Sequence, residues 1–155
     1  MKIKIFDPKT NNEIEVNKVV KSDDEWQKIL TDEQYQIMRK HSTEPPFTNT
    51  CPIPPNKEGF YNCAGCGTAL FHFGTKFDSG TGWPSFFEPI SKLNVIETDK
   101  SSDGDHRIEV SCARCGAHLG HVFDDGPAFA KATAGKPAPT YQRYCINAVA
   151  LKLSK

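Results

Sequence analysis

The sequence predicts a mainly β protein: antiparallel sheets, short helices near the N-terminus, and a four-cysteine metal clip. Three observations predict it. Beyond Lys57 the apolar residues fall in short aromatic and β-branched runs cut by Gly, Asp, Ser and Pro, the pattern of an all-β body. Two Cys-x-x-Cys-Gly units, at Cys63–Gly67 and Cys112–Gly116, have metal-ligand spacing. Helix-start signals cluster early, at Ser22 and Thr31.

Composition bounds the rest. The chain has 155 residues, enough for one domain with its own core, read as a hairpin extension over 1–20 and a catalytic body over 21–155. The 19 Lys and Arg balance the 19 Asp and Glu, so no basic surplus speaks for nucleic acid. No apolar run approaches the roughly 18 residues of a membrane span. The start, Met1-Lys-Ile-Lys-Ile-Phe-Asp-Pro8, has no apolar signal segment, so a cytoplasmic location is expected.

The elements follow in order. Residues 2–6 and 13–17 alternate around Asp7-Pro8 and Asn11-Asn12, with Ile3 and Ile5 on one face and Ile14 and Val16 likewise, which reads as a hairpin. Ser22 with Glu25, and Thr31 with Gln34, are capping boxes that open two helices. Trp26, Ile29 and Leu30 make one apolar stripe, and Tyr35 with Met38 begins another. Five prolines between Thr43 and Asn56 forbid helix and central strand, leaving an extended wrap. Strands are expected at Phe60–Cys63, Ala69–Phe73, Val95–Thr98, Arg107–Ser111, His118–Phe123 and Tyr141–Leu153. Ala128–Lys136, bracketed by Pro127 and Pro137, reads as an insertion.

Six cysteines carry the chemistry. Cys63, Cys66, Cys112 and Cys115 supply four sulfurs, a closed tetrahedral set of the structural kind, for which Zn²⁺ is the expected ion. Iron fits the same ligands, and two redox disulfides or a site without metal are the other readings. A nucleotide deaminase site is disfavoured, since neither pair follows the required proline.

Cys145 lies in Arg143-Tyr-Cys145-Ile-Asn147. In a strand Arg143, Cys145 and Asn147 share a face, where a guanidinium favours the nucleophilic thiolate; a core cysteine beside a surface arginine is the alternative. His118 and His121, just after the second Cys pair, suit proton transfer near neutral pH, a second metal pair, or plain exposure. Gly82-Trp83-Pro84-Ser-Phe-Phe87 reads either as an apolar substrate wall or as a corner of the β-core.

Taken together and in this order, these strings resemble the B-type methionine sulfoxide reductases, which act on the R epimer. The matching strings are Thr43-Glu-Pro-Pro-Phe47, Cys63-x-x-Cys66, Lys76-Phe-Asp-Ser-Gly-Thr-Gly-Trp-Pro-Ser-Phe86, Cys112-x-x-Cys115-Gly, His118-Leu-Gly-His-Val-Phe-Asp-Asp-Gly-Pro127 and Arg143-Tyr-Cys-Ile-Asn147. They cover the chain from about Asp24 to Leu153. The resemblance implies two antiparallel sheets with short N-terminal helices and a structural zinc. It implies Cys145 as nucleophile and His118 and His121 on the sulfoxide oxygen, with Asp125 and Asn147 in support. Arg143 would hold the thiolate, and Trp83 would wall the methyl pocket, joined by Phe123. The product state is a Cys145 sulfenic acid, which condenses with a second thiol.

Many members carry that second thiol where this chain has Thr81. Cys51 is therefore expected to resolve the sulfenic acid, with thioredoxin reducing the resulting disulfide; an incidental cysteine is the alternative. The Ala128–Pro139 stretch is longer than the family's usual loop, and Tyr141-Gln142 replaces a Gly-containing pair, so the balance of free and protein-bound substrate stays open. A lid and an inert surface insertion are equal readings of that stretch. A monomer is expected. The competing functions are a zinc β-module that binds a protein partner and a redox sensor that uses Cys145 without turnover.

Overall fold

Alternation and turn chemistry build the first element as expected. The structure is a computed structural model that describes residues 1–49, 53–54, 58–102, 107–124 and 142–154, so Cys51, Asp125 and the 128–139 insertion lie outside the described residues. Strands β1 (Lys2–Asp7) and β2 (Asn12–Asn17) pair antiparallel, Ile3 opposite Val16 and Ile5 opposite Ile14, which places the four apolar residues on one face. Buried Asn94 clamps this hairpin to the body. Its side chain accepts from the Phe6 N–H at 2.8 Å and donates to the carbonyls of Phe6 and Ala69.

Both capping boxes form. Ser22 and Glu25 cap α1 (Asp23–Ile29), and Thr31 and Gln34 cap α2 (Asp32–Lys40). One expected stripe changes. Trp26 and Leu30 are buried, but Ile29 is 55% exposed, because α1 stops after seven residues and Leu30 is already extended. Ile37 takes a core place beside Tyr35 and Met38.

The body has two sheets. The six-stranded sheet runs β5 (Lys76–Phe77), β6 (Ser85–Phe86), β10 (Arg143–Ile146), β9 (His118–Phe123), β8 (Ile108–Cys112), β7 (Val95–Asp99). The three-stranded sheet runs β11 (Leu151–Ser154), β3 (Phe60–Cys63), β4 (Ala69–His72). Phe71 of β4 stacks on Phe86 of β6 at 4.3 Å, and Tyr61 meets Phe86 edge-on, so the aromatic core lies between the sheets.

The single strand expected over Tyr141–Leu153 is two strands in different sheets. Asn147 ends β10 by giving both its backbone N–H and its side-chain Nδ2 to the Leu119 carbonyl. A 3₁₀ turn at Ala148–Ala150, with both alanines buried, then carries the chain across to β11. The two-residue strands β5 and β6 are too short for any alternation to announce them.

Candidate active site and metal clip

Each Cys-x-x-Cys-Gly unit folds by the same backbone bonds. Gly67 N–H donates to the Cys63 carbonyl and Cys63 N–H to that of Thr68; Gly116 N–H donates to Cys112 and Cys112 N–H to Ala117. Gly67 and Gly116 sit at φ +82° and +76°, a region that favours a residue without Cβ. The turns bring four sulfurs together, with Cys63 and Cys115 Sγ 3.6 Å apart and Cys66 and Cys112 Sγ 3.5 Å apart. Four sulfurs 2.3 Å from one tetrahedral ion stand about 3.8 Å apart, so the cluster fits a metal ion. Mutual hydrogen bonding couples the four sulfurs, and burial acts to push each thiol up. Thiolates in a largely buried cluster call for a cation. The helices cover the clip, with Arg39 donating to the Cys115 carbonyl and stacking on Trp26.

Cys145 stands apart from this cluster. It lies on β10 beside its neighbour β9, opposite His121, and opposite Ser85 of β6 on the other side. Side chains alternate along β10: Tyr144 and Ile146 are buried in the core, while Arg143 and Cys145 face a cavity of about 220 Å³. Thr81, Trp83, His121, Phe123 and Asn147 also line that cavity. Asn147 joins this face from just past the strand end. The Arg143 guanidinium lies 4.5 Å over the Phe123 ring, so both are held at the cavity wall.

Burial is the largest influence on the Cys145 thiol and pushes it up; the Arg143 charge and a Thr81 hydroxyl bond pull it down, and the balance stays above the ordinary cysteine value. The Arg143 charge thus favours the thiolate but does not by itself outweigh burial.

Of the aromatic string, Phe86 and Phe87 are buried in the core, whereas Trp83 lines the cavity. The corner-of-the-core reading holds for Phe86 and Phe87, while Trp83 is placed on a cavity wall. The Trp83 indole donates to the Glu44 carbonyl at 2.9 Å. Glu44 is buried, takes the Val149 N–H on its carboxylate, and gives its own N–H to Asn147 Oδ1. Burial pushes its carboxyl above the ordinary value. Sequence reasoning gave Glu44 no role; a lone carboxylate in a proline-rich stretch offers no periodic signal, and its partners Trp83, Asn147 and Val149 are 39 and more residues away.

The two histidines share one cavity, and His121 also reaches the other. His121 lines the Cys145 cavity, while His118 is buried and lines an adjoining one; the cavities share Thr43 and His121. The rings meet edge-on with centroids 5.4 Å apart. His118 Nδ1 lies 2.7 Å from Glu109 Oε2, and His41 Nδ1 lies 2.6 Å from the same oxygen. Neither Glu109 nor His41 carried a sequence signal.

Among the described residues, a thiol facing a cavity with an imidazole, a guanidinium and an amide, beside a separate four-cysteine cluster that could hold a metal, is the arrangement of an oxidoreductase. Comparison with known proteins agrees. The model of the SelR domain matches residues 30–155. The chain is 49% identical over 140 residues to the peptide methionine sulfoxide reductase MsrB of Methanosarcina mazei, covering 90% of this chain and 91% of that one. It is 52% identical over 134 residues to the same-named protein of Methanosarcina barkeri, covering 86% of each. With that of Leptospira interrogans it shares 47% over 137 residues, 88% of this chain and 96% of the relative. The chain belongs to the SelR family, that of the B-type methionine sulfoxide reductases. Among the described residues no helix is long and apolar enough to cross a membrane.

Proposed function

We propose that the protein reduces methionine-R-sulfoxide, free or within oxidised proteins, to methionine with Cys145 as nucleophile. The observation that carries this is the placement of Cys145 on the cavity face of β10, opposite His121 and flanked by Arg143 and Asn147, in a chain of this family. The Cys145 thiolate attacks the sulfoxide sulfur while the imidazole side of the site gives a proton to the oxygen. The S–O bond breaks, the substrate sulfur gains the electron pair, and the hydroxyl ends on Cys145 as sulfenic acid. One proton has left the thiol and one has reached the oxygen, so the step balances. Trp83 and Phe123 form the apolar wall for the substrate's methyl group, with Arg143 and Asn147 fixing the nucleophile and Asp125 in support.

Cys51 then attacks the sulfenic acid, releasing water, and the Cys51–Cys145 disulfide is reduced by thioredoxin. Cys63, Cys66, Cys112 and Cys115 hold one structural zinc, which supplies the cross-link between two ends of the body and takes no part in the redox cycle. A single catalytic domain, working as a monomer in the cytoplasm without nucleic acid or membrane, completes the reading. A reducing compartment suits four thiolates kept for a metal.

The test is epimer-resolved reduction of methionine sulfoxide with dithiothreitol. Wild type consumes the R epimer and spares the S epimer, and Cys145→Ser loses activity by about 10³-fold or more at unchanged zinc content. A wild type inactive on the R epimer overturns the reading. Cys51→Ser keeps its dithiothreitol rate and loses steady-state turnover with thioredoxin; an unchanged thioredoxin rate removes Cys51 from the cycle.

A further inference from the structure

His118 is 2% exposed, and its Nε2 is shut off from solvent with no hydrogen-bond partner among the described residues. An orphaned ring nitrogen of this kind costs about 1–3 kcal/mol and needs a reason. The other ring nitrogen supplies half of one. An ionised carboxylate accepts and does not donate, so at 2.7 Å from Glu109 Oε2 the Nδ1 carries the hydrogen. Nε2 of the neutral ring is then a bare lone pair, on a ring whose centroid lies 5.4 Å from that of His121, and His121 lines the Cys145 cavity.

Glu109 is suited to this. Burial pushes its carboxyl up, but hydrogen bonds from His41 and His118 and their charges bring it below the ordinary value, so it is a carboxylate at neutral pH. Its side chain is 9% exposed, whereas that of His41 is 57% exposed. Both imidazoles share the one oxygen, Oε2. The separations of 2.6 and 2.7 Å are hydrogen-bond lengths, so Glu109 joins the two imidazoles in one hydrogen-bonded unit.

We infer that Glu109 is a positioning residue of the reaction, fixing His118 as a proton acceptor at Nε2 and anchoring the imidazolium that forms, and that His41 tunes it from the solvent side. The inference rests on the reading of Cys145 chemistry given above. In it, the proton lost by the Cys145 thiol is taken up at the imidazole pair and returned to the sulfoxide oxygen. The Glu109 charge stabilises the cation between the two events, the logic by which a buried carboxylate serves a histidine in a hydrolase triad. A protonated His41 draws on the same carboxylate and opposes the second positive charge.

The groups that face His118 fix the signs. Burial lowers its proton affinity, Glu109 raises it, and His41 lowers it. Lys100, Arg107 and His121 line the same cavity and add positive or potentially positive charge.

The experiment is ¹⁵N NMR of the histidine rings on the whole protein, together with pH profiles of kcat and KM on the R epimer with dithiothreitol. Wild type shows His118 as the Nδ1–H tautomer. Glu109→Gln lowers its titration point and cuts kcat by about 10²-fold with KM within about twofold, and Glu109→Asp recovers part of the loss. His41→Asn suits the left-handed C-cap that His41 occupies at φ +61° and so keeps the fold. It raises the His118 titration point and moves the acid limb of kcat the same way. An Nε2–H tautomer in wild type, or a Glu109→Gln enzyme with wild-type kcat and pH profile, overturns the inference. Should Glu109→Gln fail to fold, the His41→Asn pair of shifts decides: both present supports the role, either absent ends it. A wild type inactive on the R epimer instead sinks the enzymatic reading, while the tautomer measurement still reports on the hydrogen-bonded trio.

Discussion

Five described cysteines share one side chain and divide into two chemistries. In the clip, each sulfur has another within about 3.6 Å, the backbone turns are duplicates, and the set is capped by α1 and α2. On β10, Cys145 has no such neighbour among the described residues; it faces a cavity lined by His121, Arg143 and Asn147. Sulfurs gathered closely enough to share an ion are held by one another, and a sulfur kept apart is available. Neighbours, not the thiol, decide which role a cysteine takes.

The comparison breaks most completely at the clip. Cys112→Ser removes one of the four clustered sulfurs and leaves Cys63 and Cys115 buried and Cys66 half-buried without it. Structural zinc contributes about 10–16 kcal/mol, comparable with the whole stability of a domain. The expected result is loss of zinc and of the cooperative thermal transition together, seen by metal analysis and calorimetry. A folded, zinc-free variant would show that the clip is not what holds the body.

A smaller break comes from the strand that seats Cys145. A Cβ on Gly120 would run into the Cys145 carbonyl oxygen, backbone that cannot step aside cheaply. Gly120→Ala is expected to cost about 1–3 kcal/mol or more in denaturant unfolding, with β9 and β10 pushed apart and activity falling beyond the loss of folded protein. Zinc content stays at wild type, which separates the two regions experimentally.

The subtlest change sharpens the contrast by charge alone. Because burial holds the Cys145 thiol above its ordinary value and Arg143 draws it down, thiolate forms on the alkaline side and more of it forms as pH rises. Arg143→Ala removes the lowering influence, so the rise of kcat/KM moves to still higher pH. A shift of one unit is about a tenfold loss at pH 7. Arg143→Lys keeps the charge and recovers part of it. A profile unmoved by Arg143→Ala would mean that the guanidinium serves the wall over Phe123 and not the sulfur.

Much of this was legible in the sequence because its causes are local. The hairpin follows from alternation around turn residues, both helix starts from residues three apart, and both knuckles from a five-residue pattern ending in glycine. The face shared by Arg143 and Cys145 follows from a two-residue period. What was missed is long-range. The break at Asn147 depends on the Leu119 carbonyl, 28 residues away, and Ile29 is exposed because α1 ends one turn too soon for the stripe. That His118 and His121, three residues apart, line one cavity together depends on a register shift between β8 and β9 at Val110 and Ser111, since strict alternation would put them on opposite faces.

The sequence by itself determined the fold class and singled out the four cysteines that cluster and the candidate nucleophile, since spacing and period act within a few residues of chain. Only the tertiary structure decided what surrounds them. Glu109 under His118, His41 over Glu109, and Glu44 behind Trp83 and Asn147 are pairs brought together from distant segments. Burial then sets the proton affinities of those groups, and burial is a property of the packed whole, carried by no single stretch of residues.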